Sequence, residues 1–129
     1  MPSDDELVEL AKEAQSRAVA DITQYRVGAA LLTADGEVFL GCNIEHIVLA
    51  ETVCAEKVAI LKAISEGHTA FAKVAVYTDS SPPATPCGSC RQMLHRWDIH
   101  DVVAANSQGE VAHWRLETLL PGAFKLTLD

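Results

Sequence analysis

Two short cysteine clusters constrain the fold of this chain most strongly, because a shared metal ion would require two separate segments to meet. The clusters are Cys54-Ala55-Glu56 and Cys87-Gly88-Ser89-Cys90. Each falls at the predicted start of a helix, and residues three apart on a helix share a face, so Cys87 and Cys90 can point at one ion. Three thiolates can hold one zinc and leave its fourth tetrahedral position to water, as in catalytic zinc sites.

Glu56 lies two residues after Cys54 and is predicted to act as general acid and base rather than as a ligand. A carboxylate beside the water of such a site could take its proton and pass it to a substrate, which is worth on the order of 10²–10⁴-fold in rate. Lys57, the next residue, would add a cation near the thiolates. Lysine acts there as a point charge, because it lacks the bidentate fork of arginine.

Two other interpretations of the cysteines stay open at this stage. A Cys-x-x-Cys pair alone is also typical of redox and structural-zinc sites. Cys42 could be a fourth ligand, which would close the site and make the chain a noncatalytic, zinc-stabilised binding domain. Cys42 lies in a strand-like run, however, and a free cysteine there is expected to be simply buried.

Composition and charge narrow the class of protein. The 129 residues are enough for one domain with a real core, so residues 1–129 are expected to form a single catalytic domain. The net charge is −8 and the ten basic residues are scattered, which favours a small substrate over a nucleic acid. The apolar runs are too short to span a membrane. Residues 1–6 do not resemble a secretory signal, so a cytoplasmic location and reduced thiols are expected.

The apolar periodicity predicts alternating helices and strands. Ser3 and Glu6 are placed to form a capping box before the first helix, and Asp35-Gly36 between two apolar runs predicts a hairpin. Helices are predicted over residues 4–20, 53–65, 87–97 and 116–120, and strands over 27–32, 37–42, 74–77, 102–105 and 111–114. The second helix carries apolar residues on most sides and is expected to be buried. This order predicts one mixed sheet with helices on its faces.

Several motifs in the same order give the chain a family resemblance over roughly residues 11–124. These are Val27-Gly28-Ala29-Ala30-Leu31-Leu32, Gly41-Cys42-Asn43-Ile44-Glu45, Cys54-Ala55-Glu56, Pro86-Cys87-Gly88-Ser89-Cys90-Arg91-Gln92 and Leu119-Leu120-Pro121-Gly122-Ala123-Phe124. The chain resembles the small, homotetrameric cytidine deaminases. The resemblance implies an α/β fold with three α/β/α layers and a five-stranded mixed sheet. It also implies zinc-dependent hydrolysis of cytidine or 2′-deoxycytidine to the uridine product and ammonia, in pyrimidine salvage.

The same resemblance implies roles for five residues in nucleoside binding. Asn43 and Glu45 match a pair that hydrogen-bonds the ribose hydroxyls, and Tyr25 matches a phenylalanine that lines the nucleoside pocket. The backbone of Ala55 corresponds to a contact with the pyrimidine ring. Phe124 matches an aromatic residue that reaches the ring bound by a neighbouring subunit.

One segment departs from the family pattern. After Asn43-Ile44-Glu45 the family usually has Asn, small residues and Tyr, whereas this chain has His46-Ile47-Val48-Leu49. Added apolar bulk changes which substituents a pocket accepts. A modified aminopyrimidine nucleoside, such as a blasticidin S-like or N4-substituted compound, is therefore the alternative substrate, and His46 is similar to a histidine of blasticidin S deaminases. The apolar segment 47–49 is expected either at a subunit interface or in the core.

Overall fold

The computed structural model describes residues 1–126 and contains helices and strands in the predicted order. In chain order the elements are α1 (Asp4–Gln15), β1 (Gly28–Thr33), β2 (Val38–Cys42), a 3-10 turn (Leu49–Glu51), α2 (Ala55–Ser65), β3 (Phe71–Thr78), α3 (Gly88–Arg96), β4 (Asp101–Asn106), β5 (Val111–Arg115) and α4 (Leu116–Leu119). Among these described residues, no helix is both long enough and apolar enough to cross a bilayer.

The strands form one five-stranded mixed sheet in the order β2-β1-β3-β4-β5. β3 and β4 pair in parallel, with α3 in the crossover between them, and the other three pairs are antiparallel. The predicted Asp-Gly hairpin joins β1 to β2, where the Thr33 amide donates to the Glu37 carbonyl at 2.8 Å. Gly36 has φ +95°, which glycine adopts without the strain that a side chain would cause.

Both faces of the sheet are covered by helices, which confirms the three-layer α/β/α architecture. Side chains alternate along a strand, and in β1 Ala29 and Leu31 pack in the core beneath α2 and α3. Ala30 and Leu32 point the other way and pack with the apolar face of α1. All six residues of β1 are consequently buried, which explains why this strand reads as a continuous apolar run.

Two helices are shorter than predicted because neighbouring residues form backbone bridges instead. α1 ends at Gln15, and beyond it Val19 pairs with Ile44 in an extension of β2. Ile44 also pairs with Val53, so α2 begins at Ala55 and not at Val53. The predicted burial of α2 holds for Ala55, Glu56, Ala59, Ile60 and Ala63, whereas Leu61 is half exposed.

Gly41 determines how closely α2 approaches the sheet. A Cβ atom at this position in β2 would lie 2.6 Å from the Ala59 backbone nitrogen and would also overlap the Ala55 carbonyl oxygen. Contacts this short between a Cβ atom and rigid helix backbone do not occur in proteins. The missing side chain therefore lets the first turn of α2, with Ala55 and Glu56, lie directly on the strand.

Asp4 joins the start of α1 to the sheet and should make stability depend on pH. Its carboxylate accepts a hydrogen bond from Lys73 Nζ at 2.8 Å and lies 3.0 Å from His113 Nε2. The Lys73 bond is the main cause that lowers the pKa of Asp4. A depressed folded pKa contributes stability above the unfolded value of about 4, and the contribution is lost as pH falls through the folded value.

Asp4→Asn is therefore expected to lower the melting temperature at pH 7, with the difference from wild type shrinking toward pH 3. Thermal unfolding followed by circular dichroism across this range measures both effects. Asp5→Asn is the matched control, because Asp5 occupies the same first turn and has the same proximity to the helix dipole. An equal loss at pH 7 and pH 3 would contradict the assignment.

Candidate active site

The three cysteines of the two clusters meet where α2 and α3 begin. Cys54 is the N-cap of α2, Cys87 is the N-cap of α3, and Cys90 lies in the first turn of α3. The Sγ atoms of Cys54 and Cys87 are 3.9 Å apart, and the Sγ atoms of all three cysteines lie within 4.8 Å of one another. Partial positive charge at helix N-termini stabilises thiolates in this position.

The donor set fits zinc. In tetrahedral coordination with Zn–S bonds of ~2.3 Å, two ligand sulfurs lie about 3.8 Å apart, which agrees with the Cys54–Cys87 separation. Within residues 1–126, the thiol cluster that could hold a metal contains Cys54, Cys87 and Cys90 but not Cys42. The geometry therefore supports a three-cysteine site, not the closed four-cysteine alternative.

The thiols differ in acidity because they are hydrogen-bonded to one another. A bond between Cys90 and Cys54 lowers the pKa of Cys54, and the nearby Lys57 cation acts in the same direction. The same bond to Cys54 raises the pKa of Cys90, and burial adds to that increase. Of these two thiols, Cys54 is thus the more readily ionised.

A cavity of about 210 Å³ opens beside the cysteines. Its walls come from the start of α2, from the segments around β1 and β2, and from the end of β3 with the loop that follows it. The lining residues are Tyr25, Val27, Asn43, Thr52, Val53, Cys54, Ala55, Glu56, Val76, Thr78, Ala84, Thr85 and Cys87. Many of these side chains are apolar, so the cavity can exclude bulk water around a bound ring.

Glu56 is the buried carboxyl group of this cavity, with 4% of the residue exposed. Burial raises its pKa to about 7, and the negative charge of Cys54 contributes to the increase. A carboxyl group with a pKa near neutral pH can both accept and donate a proton, which is the property required of a general acid and base.

Lys57 points toward the start of α3, where the other two cysteines lie. Its Nζ donates a hydrogen bond of 2.5 Å to the Ser89 hydroxyl, between Cys87 and Cys90 in sequence. The cation lowers the pKa of both Cys54 and Glu56. This geometry supports the predicted role of Lys57 as a point charge beside the thiolates.

Asn43 lies in the cavity wall, but its amide is already engaged with the chain. Nδ2 donates to the Tyr25 carbonyl at 2.7 Å, and Oδ1 accepts from the Val27 amide at 2.9 Å. One Nδ2 hydrogen and one Oδ1 lone pair remain free for a ligand under the usual inventory of an amide. The ribose contact stays a prediction, and the observed role of Asn43 is to hold the Tyr25–Val27 segment.

Glu45 and Phe124 lie outside the cavity lining in the part of the chain that the structure describes. The Glu45 carboxylate accepts hydrogen bonds from the amides of Ile22 and Thr23 and from the Thr23 hydroxyl, and the bond from that hydroxyl is the main cause that lowers its pKa. Phe124 is 69% exposed, and its carbonyl accepts a bond of 2.7 Å from Gln92 Nε2. Their roles in ribose binding and in a neighbouring site stay predictions.

Tyr25 and Ala55 both line the cavity, as expected for residues that contact the nucleoside. Tyr25 is 43% exposed, which places it at the rim, and its hydroxyl oxygen lies 2.7 Å from Ser80 Oγ. Ala55 is fully buried at the first position of α2 and lines the cavity beside Cys54 and Glu56.

The sequence analysis assigned no role to Arg91, the residue after Cys90. Its guanidinium donates three hydrogen bonds of 2.7 Å each, to the Pro86 carbonyl, the Thr85 hydroxyl and the Leu119 carbonyl. A planar fork can bond these groups at once, which lysine cannot do. Arg91 therefore fixes the segment before Cys87 against the end of α4. An arginine directly beside a ligand cysteine was the available sequence signal.

Comparison with known proteins agrees with this geometry. The family model for the cytidine and deoxycytidylate deaminase zinc-binding region matches residues 1–106. The chain belongs to this deaminase family. The predicted family, the enzyme class and the zinc cofactor are thereby confirmed.

Individual members of the deaminase family match nearly the whole chain. A cytidine deaminase of Sporosarcina psychrophila is 38% identical over 122 residues, covering 93% of this chain and 90% of the relative. A blasticidin-S deaminase of Bacillus cereus is 32% identical over 124 residues, covering 90% and 88%. The crystal structure of cytidine deaminase from Burkholderia pseudomallei superposes with a TM-score of 0.92 at 38% identity, covering 95% of this chain and 100% of that one.

Proposed function

We propose that this deaminase hydrolyses cytidine and 2′-deoxycytidine to uridine and 2′-deoxyuridine, with release of ammonia. The observation that carries the proposal is the buried Glu56 carboxyl group beside the three-thiol cluster of Cys54, Cys87 and Cys90. Both lie at a cavity of about 210 Å³ that is lined by many apolar side chains. The similarity to cytidine deaminases over most of the chain supports the same substrate class.

The chain's residues divide the chemistry between them. When bound by Cys54, Cys87 and Cys90, zinc supplies a Lewis acid that makes a water molecule acidic. A Glu56 carboxylate oxygen takes one proton from the attacking water and passes it to the ring nitrogen next to the amino-bearing carbon. It then takes the second proton from the new hydroxyl group on that carbon and delivers it to the departing amino group, so that a carbonyl forms as ammonia leaves. Ala55 positions the ring through its backbone.

The sugar is held at the other end of the cavity in this proposal. Asn43 offers its free amide hydrogen and lone pair to a ribose hydroxyl. For Glu45 to contribute, its carboxylate must bind the sugar with the lone pairs not used by Ile22 and Thr23. Phe124 is proposed to reach the site of a neighbouring subunit.

A second candidate substrate is a blasticidin S-like or N4-substituted aminopyrimidine nucleoside. Two observations favour it: the 32% identity to a blasticidin-S deaminase, and the divergent segment 46–49. That segment leads into Thr52 and Val53, which line the cavity, and the Thr52 hydroxyl accepts a bond from the His46 amide at 3.0 Å. A change in this loop can therefore alter the shape of the pocket wall.

The proposal is tested with purified protein of known zinc content. Hydrolysis is followed by the change in ultraviolet absorbance with cytidine, 2′-deoxycytidine, blasticidin S and N4-methylcytidine, of which the first three release ammonia and the last releases methylamine. The ratio of kcat/KM values identifies the preferred substrate. A stable analogue of the hydrated pyrimidine should bind far more tightly than cytidine, because it resembles the transition state. A zinc-loaded protein that hydrolyses no member of the panel and does not prefer the analogue would support the noncatalytic binding domain instead.

We also propose that the single catalytic domain works as a homotetramer in the cytoplasm, in pyrimidine salvage. The apolar residues Ile47, Val48 and Leu49 are exposed, with Ile47 at 87%, so a subunit interface accounts for them better than the core does. Analytical ultracentrifugation measures the oligomeric state, and a monomer at working concentrations would contradict this part of the proposal.

A further inference from the structure

The rim of the active-site cavity is bridged by one side-chain contact between distant segments. The hydroxyl oxygens of Tyr25 and Ser80, 55 residues apart in sequence, lie 2.7 Å from each other, and either can donate the hydrogen bond. Tyr25 lines the cavity, whereas Ser80 lies behind it in the loop between β3 and α3. The contact joins the wall formed by the Tyr25–Val27 segment to the wall formed by that loop.

The backbone of Tyr25 is held in place from two sides. Its carbonyl accepts the bond from Asn43 Nδ2 at 2.7 Å, and its amide donates to the Thr23 hydroxyl oxygen at 3.1 Å. Thr23 is in turn bound by the Glu45 carboxylate through its amide and its hydroxyl. Asn43 and Glu45, the two side chains expected at the ribose, therefore also fix the position of the Tyr25 backbone.

Ser80 is held equally firmly on its own side. Its amide donates to the Thr78 hydroxyl at 3.2 Å, and its carbonyl accepts from Asn106 Nδ2 at 2.9 Å. The next residue, Ser81, donates through its hydroxyl to Glu110 at 2.6 Å. Because its backbone is fixed by β3 and β4, the Ser80 hydroxyl is a stationary anchor for the tyrosine ring.

Between these two fixed backbones, little freedom is left except in the tyrosine side chain. Tyrosine has two side-chain torsions, so one hydrogen bond at the hydroxyl is enough to hold the ring in a single orientation. Without that bond the ring, at 43% exposure, could turn away from the cavity into solvent. A ring already held in its binding orientation loses less entropy when a ligand packs against it.

We propose that Ser80 is a positioning residue for nucleoside binding, which acts by holding the Tyr25 ring at the rim of the cavity. The inference rests on the proposed function and adds to it a residue that does not itself touch the substrate. Tyr25 is 43% exposed at the rim, whereas Glu56 is buried, so the held ring stabilises bound substrate and transition state alike. Its loss therefore raises KM and leaves kcat unchanged.

Steady-state deamination of cytidine by Ser80→Ala, Tyr25→Phe and the double variant tests the proposal. Each single variant is expected to raise KM by about threefold to tenfold, the value of one net hydrogen bond, with kcat unchanged. The double variant should raise KM no further than either single one, because both changes remove the same interaction. Ser80→Thr keeps a hydroxyl at this position and should restore a KM close to that of wild type.

Ser65→Ala and Tyr77→Phe are the matched controls, since they delete the same hydroxyl groups at the end of α2 and on the α1 face of the sheet. Both should keep the KM of wild type. If the wild type is active, three results would overturn the positioning role alone. These are an unchanged KM in Ser80→Ala and Tyr25→Phe, additive effects in the double variant, and a loss confined to kcat. A zinc-loaded wild type without nucleoside deaminase activity would overturn both proposals.

Discussion

Glu56→Gln is expected to retain zinc and to lose nearly all turnover. The glutamine amide keeps the shape of the side chain in its buried position but cannot accept and return a proton. Positioned proton transfer is worth on the order of 10²–10⁴-fold, so kcat for cytidine should fall by at least that range. Zinc per chain, measured by inductively coupled plasma mass spectrometry, should stay at the wild-type value because the three thiols are intact.

The melting temperature of Glu56→Gln and the activity of a matched variant distinguish a catalytic effect from a structural one. Burial disfavours the charged carboxylate, which is why the pKa of Glu56 rises to about 7, so the neutral amide should not lower the melting temperature. Glu66→Gln makes the same change at the exposed opposite end of α2 and should keep full activity. Substantial turnover by Glu56→Gln would remove Glu56 from the mechanism.

The metal cluster could be predicted from sequence because each of its two parts is defined by residues close together in the chain. Cys54 and Cys87 each stand directly before a helix, and the spacing from Cys87 to Cys90 matches one helical turn. The two helix starts are far apart in sequence, but the binding of a single ion requires them to lie close together in the fold. One mixed sheet with helices on its faces could also be predicted from the order of the apolar runs. The strand order β2-β1-β3-β4-β5 was not predicted.

The end of α1 and the start of α2 could not be predicted in this way, because tertiary pairing overrides local periodicity. Ala18 fits the helical spacing of α1, yet the Val19 amide bonds the Asn43 carbonyl at 3.0 Å and ends any helix before it. Val53 fits the pattern of α2 but pairs with Ile44. Apolar residues satisfy either arrangement, so the pattern cannot choose between them.

The polar contacts around the site depend still more on distant residues. Glu45 was predicted from its motif, but its bonds to Thr23 follow from where the 21–25 loop lies. The contact between Tyr25 and Ser80 joins two loops with no shared pattern in the sequence. Arg91 likewise bonds Leu119, 28 residues away, through a geometry that only the folded chain provides.

Cys90→Ala should remove both the metal and the activity, in contrast to Glu56→Gln, which should remove only the activity. Cys90 is fully buried and interacts with Cys54 and Glu56, so solvent cannot take the place of its sulfur without opening the site. With two thiols left, zinc per chain is expected to fall to near zero. The loss of cytidine deamination should be at least as large as in Glu56→Gln, because zinc is needed to make the water acidic.

Cys42→Ala is the matched control for this variant. Cys42 is half buried at the end of β2 and does not belong to the thiol cluster, so its replacement should leave zinc content and kcat unchanged. Loss of zinc in Cys42→Ala would instead show a fourth thiol ligand, and a site closed in that way has no position for water. Zinc retained by Cys90→Ala would exclude that thiol as a ligand. Together with Glu56→Gln, these two variants distinguish the residues that hold the metal from the residue that moves the proton.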